Sequence, residues 1–108
     1  MRSDQKEQIK RLALLLHERD LSRFRVATAQ KAKTEQDLLV LDKTSALADR
    51  DPKVCREVVD RYNSWAMNRR ILLNQQLADD LLRWNSARQE AQRSFGRAEV
   101  LKTLGRRR

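Results

Sequence analysis

Two glycines and one proline in 108 residues leave this chain almost no means of reversing direction. Neither residue type occurs between Asp4 and Leu47. As one helix, that stretch of about 44 residues would be roughly 65 Å long. From Pro52 to about Leu104 there is a single glycine, Gly96. Leu, Ala, Arg, Gln, Glu and Lys dominate both stretches, and these are the strongest helix formers. A sandwich or barrel needs about six or seven reversals, each with its own turn residues, so an all-β fold is excluded. The length allows one domain at most. Hydrophobic residues make up 40% of the chain, but many are alanine, so it can bury a narrow stripe along two helices and little more.

The helical pattern stops at Ala48-Asp49-Arg50-Asp51-Pro52. Proline disfavours helix at the residue before it but suits the first turn of a new one. Asp51 as N-cap and Pro52 at the first helical position therefore predict the start of a second helix, with Glu57 adding negative charge near its positive end. Ser3 and Asp4 offer an N-cap for the first helix, with Glu7 at capping-box spacing from Asp4. The expectation is an all-α fold, a long antiparallel two-helix coiled-coil hairpin. Its parts are a helix over about 4–48, a turn at about 49–52, a helix over about 52–104 that Gly105 ends, and a basic tail at 105–108.

In the second helix Leu73, Leu77, Leu81, Trp84, Ala87, Ala91, Phe95, Ala98 and Leu101 are spaced 4, 4, 3, 3, 4, 4, 3, 3. The mean of about 3.5 residues is the coiled-coil period. Val58, Val59, Tyr62, Trp65 and Ala66 extend the stripe upstream with some drift. The first helix is less regular: Ile9, Leu12, Leu16 and Phe24 lie near one face, and Leu38 and Leu41 return farther on. Between them Thr28 to Asp37 supplies only Ala29 and Ala32, so a weakly packed or frayed middle is expected. Folding about the turn pairs residues whose numbers sum to roughly 100, placing Phe24 against Leu77, Leu16 against Trp84 and Ile9 against Ala91. The expected seam is Leu16, Phe24, Leu77, Leu81, Trp84 and Ala91. The second helix, about 80 Å long, should overshoot the first and leave Phe95, Ala98 and Leu101 short of partners.

The net charge of +9 is unevenly spread. Residues 1–33 carry +5, residues 34–60 carry −3, residues 61–87 carry +2 and residues 88–108 carry +5. A hairpin therefore brings two basic ends together and makes the acidic part its tip.

Chemistry-bearing groups are sparse. The one cysteine, Cys55, allows no intramolecular disulfide and reads as an inert thiol near a helix start. The one histidine, His17, has no cysteine or second histidine to join it in a metal site. Asp79-Asp80 and Asp49 with Asp51 are carboxylate pairs, but acid–base catalysis needs a concave, water-excluding site, so they read as solvated charges. With glycine at 96 and 105 alone there is no phosphate-cradling loop. No enzyme activity, cofactor, metal or small-molecule ligand is expected. Trp65 and Trp84 could serve as stacking platforms for nucleic acid, but helical spacing favours the seam for both, less firmly for Trp65 because the stripe drifts there, and Trp65 could instead serve a partner surface. The terminal Arg106-Arg107-Arg108 could grip phosphate, an anionic lipid surface or an acidic protein socket. The longest apolar run, Leu12 to Leu16, is far shorter than the ~20 residues of a membrane span and too short for a signal-peptide core, so a cytoplasmic home is expected.

Ala66-Met67-Asn68-Arg69-Arg70-Ile71-Leu72 looks like the Arg-Arg segment of short FliJ-like chains, and Ala91 to Leu101 resembles their closing stretch. Over about residues 60–104 the chain thus resembles the flagellar export protein FliJ and its type III secretion stalk relatives. The polar middle of the first helix departs from that pattern. The resemblance implies a stalk that inserts its open helical end in a hexameric export ATPase, contacts the cytoplasmic domain of the export gate, and in some members escorts export chaperones. Residues 1–20 and 85–108 would then face the ATPase, with Phe95, Arg97, Leu101, Arg106, Arg107 and Arg108 as contacts. The flank around 35–65, with Tyr62, Trp65, Arg69 and Arg70, would face the gate. The implied location is cytoplasmic and peripheral to an inner-membrane export apparatus. Two other readings stay open: a generic coiled-coil interaction protein or secretion chaperone forming a four-helix dimer, and a nucleic-acid-binding helical protein.

Overall fold

The computed structural model describes the backbone of residues 2–106 and the side chains of residues 2–105. It is an all-α antiparallel hairpin of α1 (Arg2–Arg50) and α2 (Arg56–Arg106), with no strand among the described residues. Asp4 lies inside the first turn of α1, where its charge opposes the positive end of the helix.

The turn is longer than expected and Pro52 does not open α2. The Val54 N–H donates to the Asp51 carbonyl at 3.3 Å, and the Lys53 N–H donates to Asp51 Oδ1 at 2.9 Å. Asp51 thus closes a local turn in which the fixed φ of Pro52 fits the second position. The first intrahelical bond of α2 runs from the Val59 N–H to the Cys55 carbonyl at 3.0 Å, making Cys55, an exposed free thiol, the N-cap residue. Gly105 does not end α2 either. It keeps helical backbone with no positive φ, and the helix continues to Arg106.

The chain packs as two units, each built from both helices: a terminal unit, Met1–Thr28 with Leu82–Arg108, and a turn unit, Ala29–Leu81. In the turn unit Leu41, Ala66 and Leu73 form the core, with Leu38 and Tyr62 packed against them. Asp49 faces Asn63, Asp42 faces Arg70, and Thr34 faces Asp80. In the terminal unit Phe24 packs on Trp84 with ring centroids 5.9 Å apart, and His17 lies on Phe95 at 5.6 Å. Trp84 Nε1 donates to Thr28 Oγ1 at 3.1 Å, and the Arg88 guanidinium sits over the indole at 5.3 Å.

These pairs sum to between 108 and 114, not to about 100. Phe24 meets Trp84 in place of Leu77, and Trp84 sits opposite Phe24 and Thr28 in place of Leu16. The reason is the turn. α1 ends two residues later than expected and α2 starts four later, at Arg56, while Asp49 is already level with Asn63. The first turns of α2 therefore extend past the end of α1, and residues 51–55 climb to meet them. At the open end the overshoot of α2 is absent. Lys10 packs against Gly105, and Leu101 lines a groove with Ile9 and Leu12.

The seam itself corrects the apolar reading. From Leu73 onward the buried and half-buried positions of α2 are Leu73, Leu77 and Asp80 in the turn unit, then Trp84, Ala87, Ala91, Ser94, Ala98 and Leu101 in the terminal unit. Their spacing alternates 4, 3, 4, 3 without a slip, the strict heptad alternation. Asp80 and Ser94 hold the places expected for Leu81 and Phe95, which are 42% and 54% exposed. In α1 the same alternation runs through Lys10, Ala13, His17, Asp20, Phe24 and Ala27 in the terminal unit, and through Lys31, Thr34, Leu38, Leu41, Ser45 and Ala48 in the turn unit. Leu16 is half-buried beside this line. The middle of α1 is continuous helix, and Thr34, at 1% exposure, is the most buried side chain there.

Polar groups thus share the inside with hydrophobic ones, and many large hydrophobic side chains stand outside. Among the described residues four hydrophobic side chains are buried, Leu41, Ala66, Leu73 and Ala91, against eighteen large ones that are exposed. Such a hairpin hides little apolar surface on its own.

Candidate functional site

Among the described residues no three His, Cys, Asp or Glu side chains converge as metal ligands, and no helix is long and apolar enough to cross a membrane. One polar cluster merits a chemical reading. In the terminal unit His17 Nδ1 lies 3.1 Å from Ser94 Oγ, and the Ser94 hydroxyl also faces the Asp20 carboxylate and the Ala91 carbonyl at 3.2 Å. Every partner is satisfied if His17 Nδ1 carries a proton and donates to Ser94 Oγ, and Ser94 in turn donates to Asp20. Burial acts to raise the Asp20 carboxyl, but hydrogen bonds from Arg19 and Ser94 and the charges of Arg19 and Arg23 outweigh it, so the group is held below its ordinary value. A serine nucleophile needs an exposed hydroxyl and a histidine oriented by the acid. Here the serine, at 3% exposure, lies between the other two. The cluster is a buried polar layer that fixes which residues face each other.

A second layer does the same in the turn unit. Thr34 Oγ1 donates to Asp80 Oδ2 at 2.5 Å, and Gln76 Nε2 donates to Thr34 Oγ1 at 3.3 Å. Asp80 is 2% exposed, so of the Asp79-Asp80 pair it is not the solvated charge its sequence suggests, whereas Asp79 is exposed.

Each unit also carries a surface groove. In the terminal unit a groove of about 600 Å³ is lined by Ile9, Leu12, Leu16, Val100 and Leu101, with Arg97 at its edge. Of the residues assigned to an ATPase end, Arg97 and Leu101 meet in this groove. Phe95 stands 54% exposed against His17 outside it. Arg106 closes α2 but its side chain lies outside the described residues, as do Arg107 and Arg108 entirely. The terminal unit carries fifteen basic and six acidic side chains, the whole of the +9. The turn unit carries nine of each and is neutral. The acidic tip expected from the chain segments is therefore neutral once both helices are counted together.

The turn unit has its own groove, of about 320 Å³, lined by Asp37, Val40, Thr44, Tyr62, Trp65 and Arg69 over Leu41 and Leu73. Tyr62 and Trp65 stack at 5.7 Å, with Trp65 56% exposed. Tyr62, Trp65 and Arg69, expected on one partner surface, do come together. Arg70 does not join them, because it occupies the heptad line and is bonded to Asp42 Oδ1 at 2.6 and 3.0 Å. Reading apolar residues alone missed the layers at Asp20 and Ser94 and at Thr34 and Asp80. Strict 4, 3 alternation, continued through polar residues, was the signal that finds them.

No protein-family model, curated protein or solved structure matches this chain.

Proposed function

We propose that this chain is a non-enzymatic helical adaptor that docks partner helices at two chemically different surfaces. In its specific form we propose a stalk of a flagellar or type III export apparatus, cytoplasmic and peripheral to the inner membrane, linking the hexameric export ATPase to the cytoplasmic domain of the export gate. The observation that carries the reading is the division of charge. One unit holds all +9 around an apolar groove, and the other is neutral around an aromatic one. A positive surface speeds encounter with an acidic socket, and an apolar groove then holds the partner helix. The ATPase would take the terminal unit through Leu12, Arg97 and Leu101, and the gate or an export chaperone would take the turn unit through Tyr62, Trp65 and Arg69. The resemblance of residues 60–104 to FliJ-like chains supports the choice of apparatus.

The test is a pull-down of purified export ATPase and gate domain with the full chain and with Leu12→Glu and Leu101→Glu variants, at low and high salt. Both variants should lose the ATPase and keep the gate, and salt should weaken the ATPase interaction more than the gate interaction. Undiminished ATPase binding by both variants would overturn the assignment, as would failure of the full chain to bind either protein.

A further inference from the structure

The aromatic groove of the turn unit is the surface that the export reading gives to the gate, and its own chemistry points to a different resident that a gate domain would have to displace. Its floor is apolar, from Leu41 and Leu73, and Trp65 over it is more than half exposed. Asp37 and Arg69 line the same groove, and neither forms an ion pair or hydrogen bond within the chain among the described residues. The groove therefore offers one uncommitted acid, one uncommitted base and an exposed tryptophan. Tryptophan, tyrosine and arginine are the residues that most often dominate binding energy at interfaces.

We propose that this groove pairs with the same groove of a second copy of the chain. Three observations select that occupant. First, a two-fold interface is self-complementary, so every contact occurs twice. A groove bearing both signs of charge can satisfy Arg69 of each copy with the partner's Asp37. A groove bearing one sign cannot. Second, the turn unit is neutral, so two copies meet there without net repulsion, whereas terminal units of +9 repel each other. Third, the chain exposes 8946 Å², against about 6,200 Å² for a compact monomer of this mass. The excess, roughly 2,700 Å², exceeds the ~800 Å² per partner of a standard interface. The copies bury Trp65, Tyr62 and Val40 against each other, and the core the seam lacks is completed between chains.

Light scattering and sedimentation of the full chain across a wide concentration range test this. The mass should approach twice 12.7 kDa as concentration rises. Trp65→Glu should raise the dimer dissociation constant at least tenfold, about the effect of losing a hot spot. Because Trp65 is exposed, far-UV circular dichroism of the dilute variant should remain helical. Asp37→Arg and Arg69→Asp should each weaken the dimer, and the two together should restore it. Val26→Glu, on an exposed site of the terminal unit, should leave the mass unchanged. A monomeric mass at every concentration overturns the proposal. A dimer indifferent to Trp65→Glu, or a double reversal no tighter than the single ones, overturns the assignment to this groove. Capture of a foreign partner by a chain that stays monomeric does so too.

Discussion

Removing one member of the buried Thr34–Asp80 pair should cost more than removing both. Asp80 is 2% exposed, and the Thr34 hydroxyl donates to its carboxylate at 2.5 Å. Thr34→Val deletes that donor and leaves the carboxylate in the seam without it. A hydrogen bond to a charged group is worth about 1.5–3 kcal/mol, so the variant should lose roughly that much stability. Asp80→Leu is a different perturbation. The freed Thr34 hydroxyl lies 3.2 Å from the Gln30 carbonyl and turns to it, while leucine extends the apolar line of Leu73 and Leu77. Its effect should stay within about 1 kcal/mol of the parent. The double variant Thr34→Val/Asp80→Leu replaces a paired polar layer by two apolar side chains and should be at least as stable as the parent. The coupling between the sites is then about 1.5–3 kcal/mol. Urea unfolding followed by far-UV circular dichroism measures all four chains. They must be compared at one concentration, because self-association adds to apparent stability. A neutral Thr34→Val, or a double variant no more stable than Thr34→Val alone, would refute the reasoning.

Two further outcomes follow from the terminal unit. Trp84→Ala removes the packing on Phe24 and the hydrogen bond to Thr28, and for a half-buried tryptophan should cost about 2–3 kcal/mol, at or below the low end of a core truncation. An unchanged thermal melt would count against this register. Asp20, held below its ordinary value, contributes stability that is complete above the unfolded carboxylate range, about pH 4, and is lost as pH falls through the lower folded value. Thermal melts of the parent and Asp20→Asn should differ most near neutral pH and converge in acid; a gap that widens on acidification would contradict the arrangement around Ser94.

What the chain determines by itself is its helicity and its one break. Absence of glycine and proline over long stretches makes helix local and unavoidable, and Asp51-Pro52 interrupts it wherever the helices lie. The place of Trp65 was only half legible: the apolar stripe drifts there, helical spacing still favoured the seam, and the structure leaves the indole 56% exposed beside Tyr62. Register was not legible. Large hydrophobic residues are spread around both helices, so several stripes near 3.5-residue spacing compete, and apolar content favoured Leu81 and Phe95 over Asp80 and Ser94. The choice rests on contacts between residues far apart in sequence. Asp80 can be buried because Thr34 stands opposite it, and Ser94 because His17 and Asp20 do. A buried charge without its partner costs several kcal/mol, about as much as a leucine gains by burial, so Asp80 and Asp20 can hold seam positions only in the register that supplies these partners. The charge of each surface was likewise decided by folding, since the +9 of the terminal unit and the neutrality of the turn unit arise only when the two helices are laid side by side.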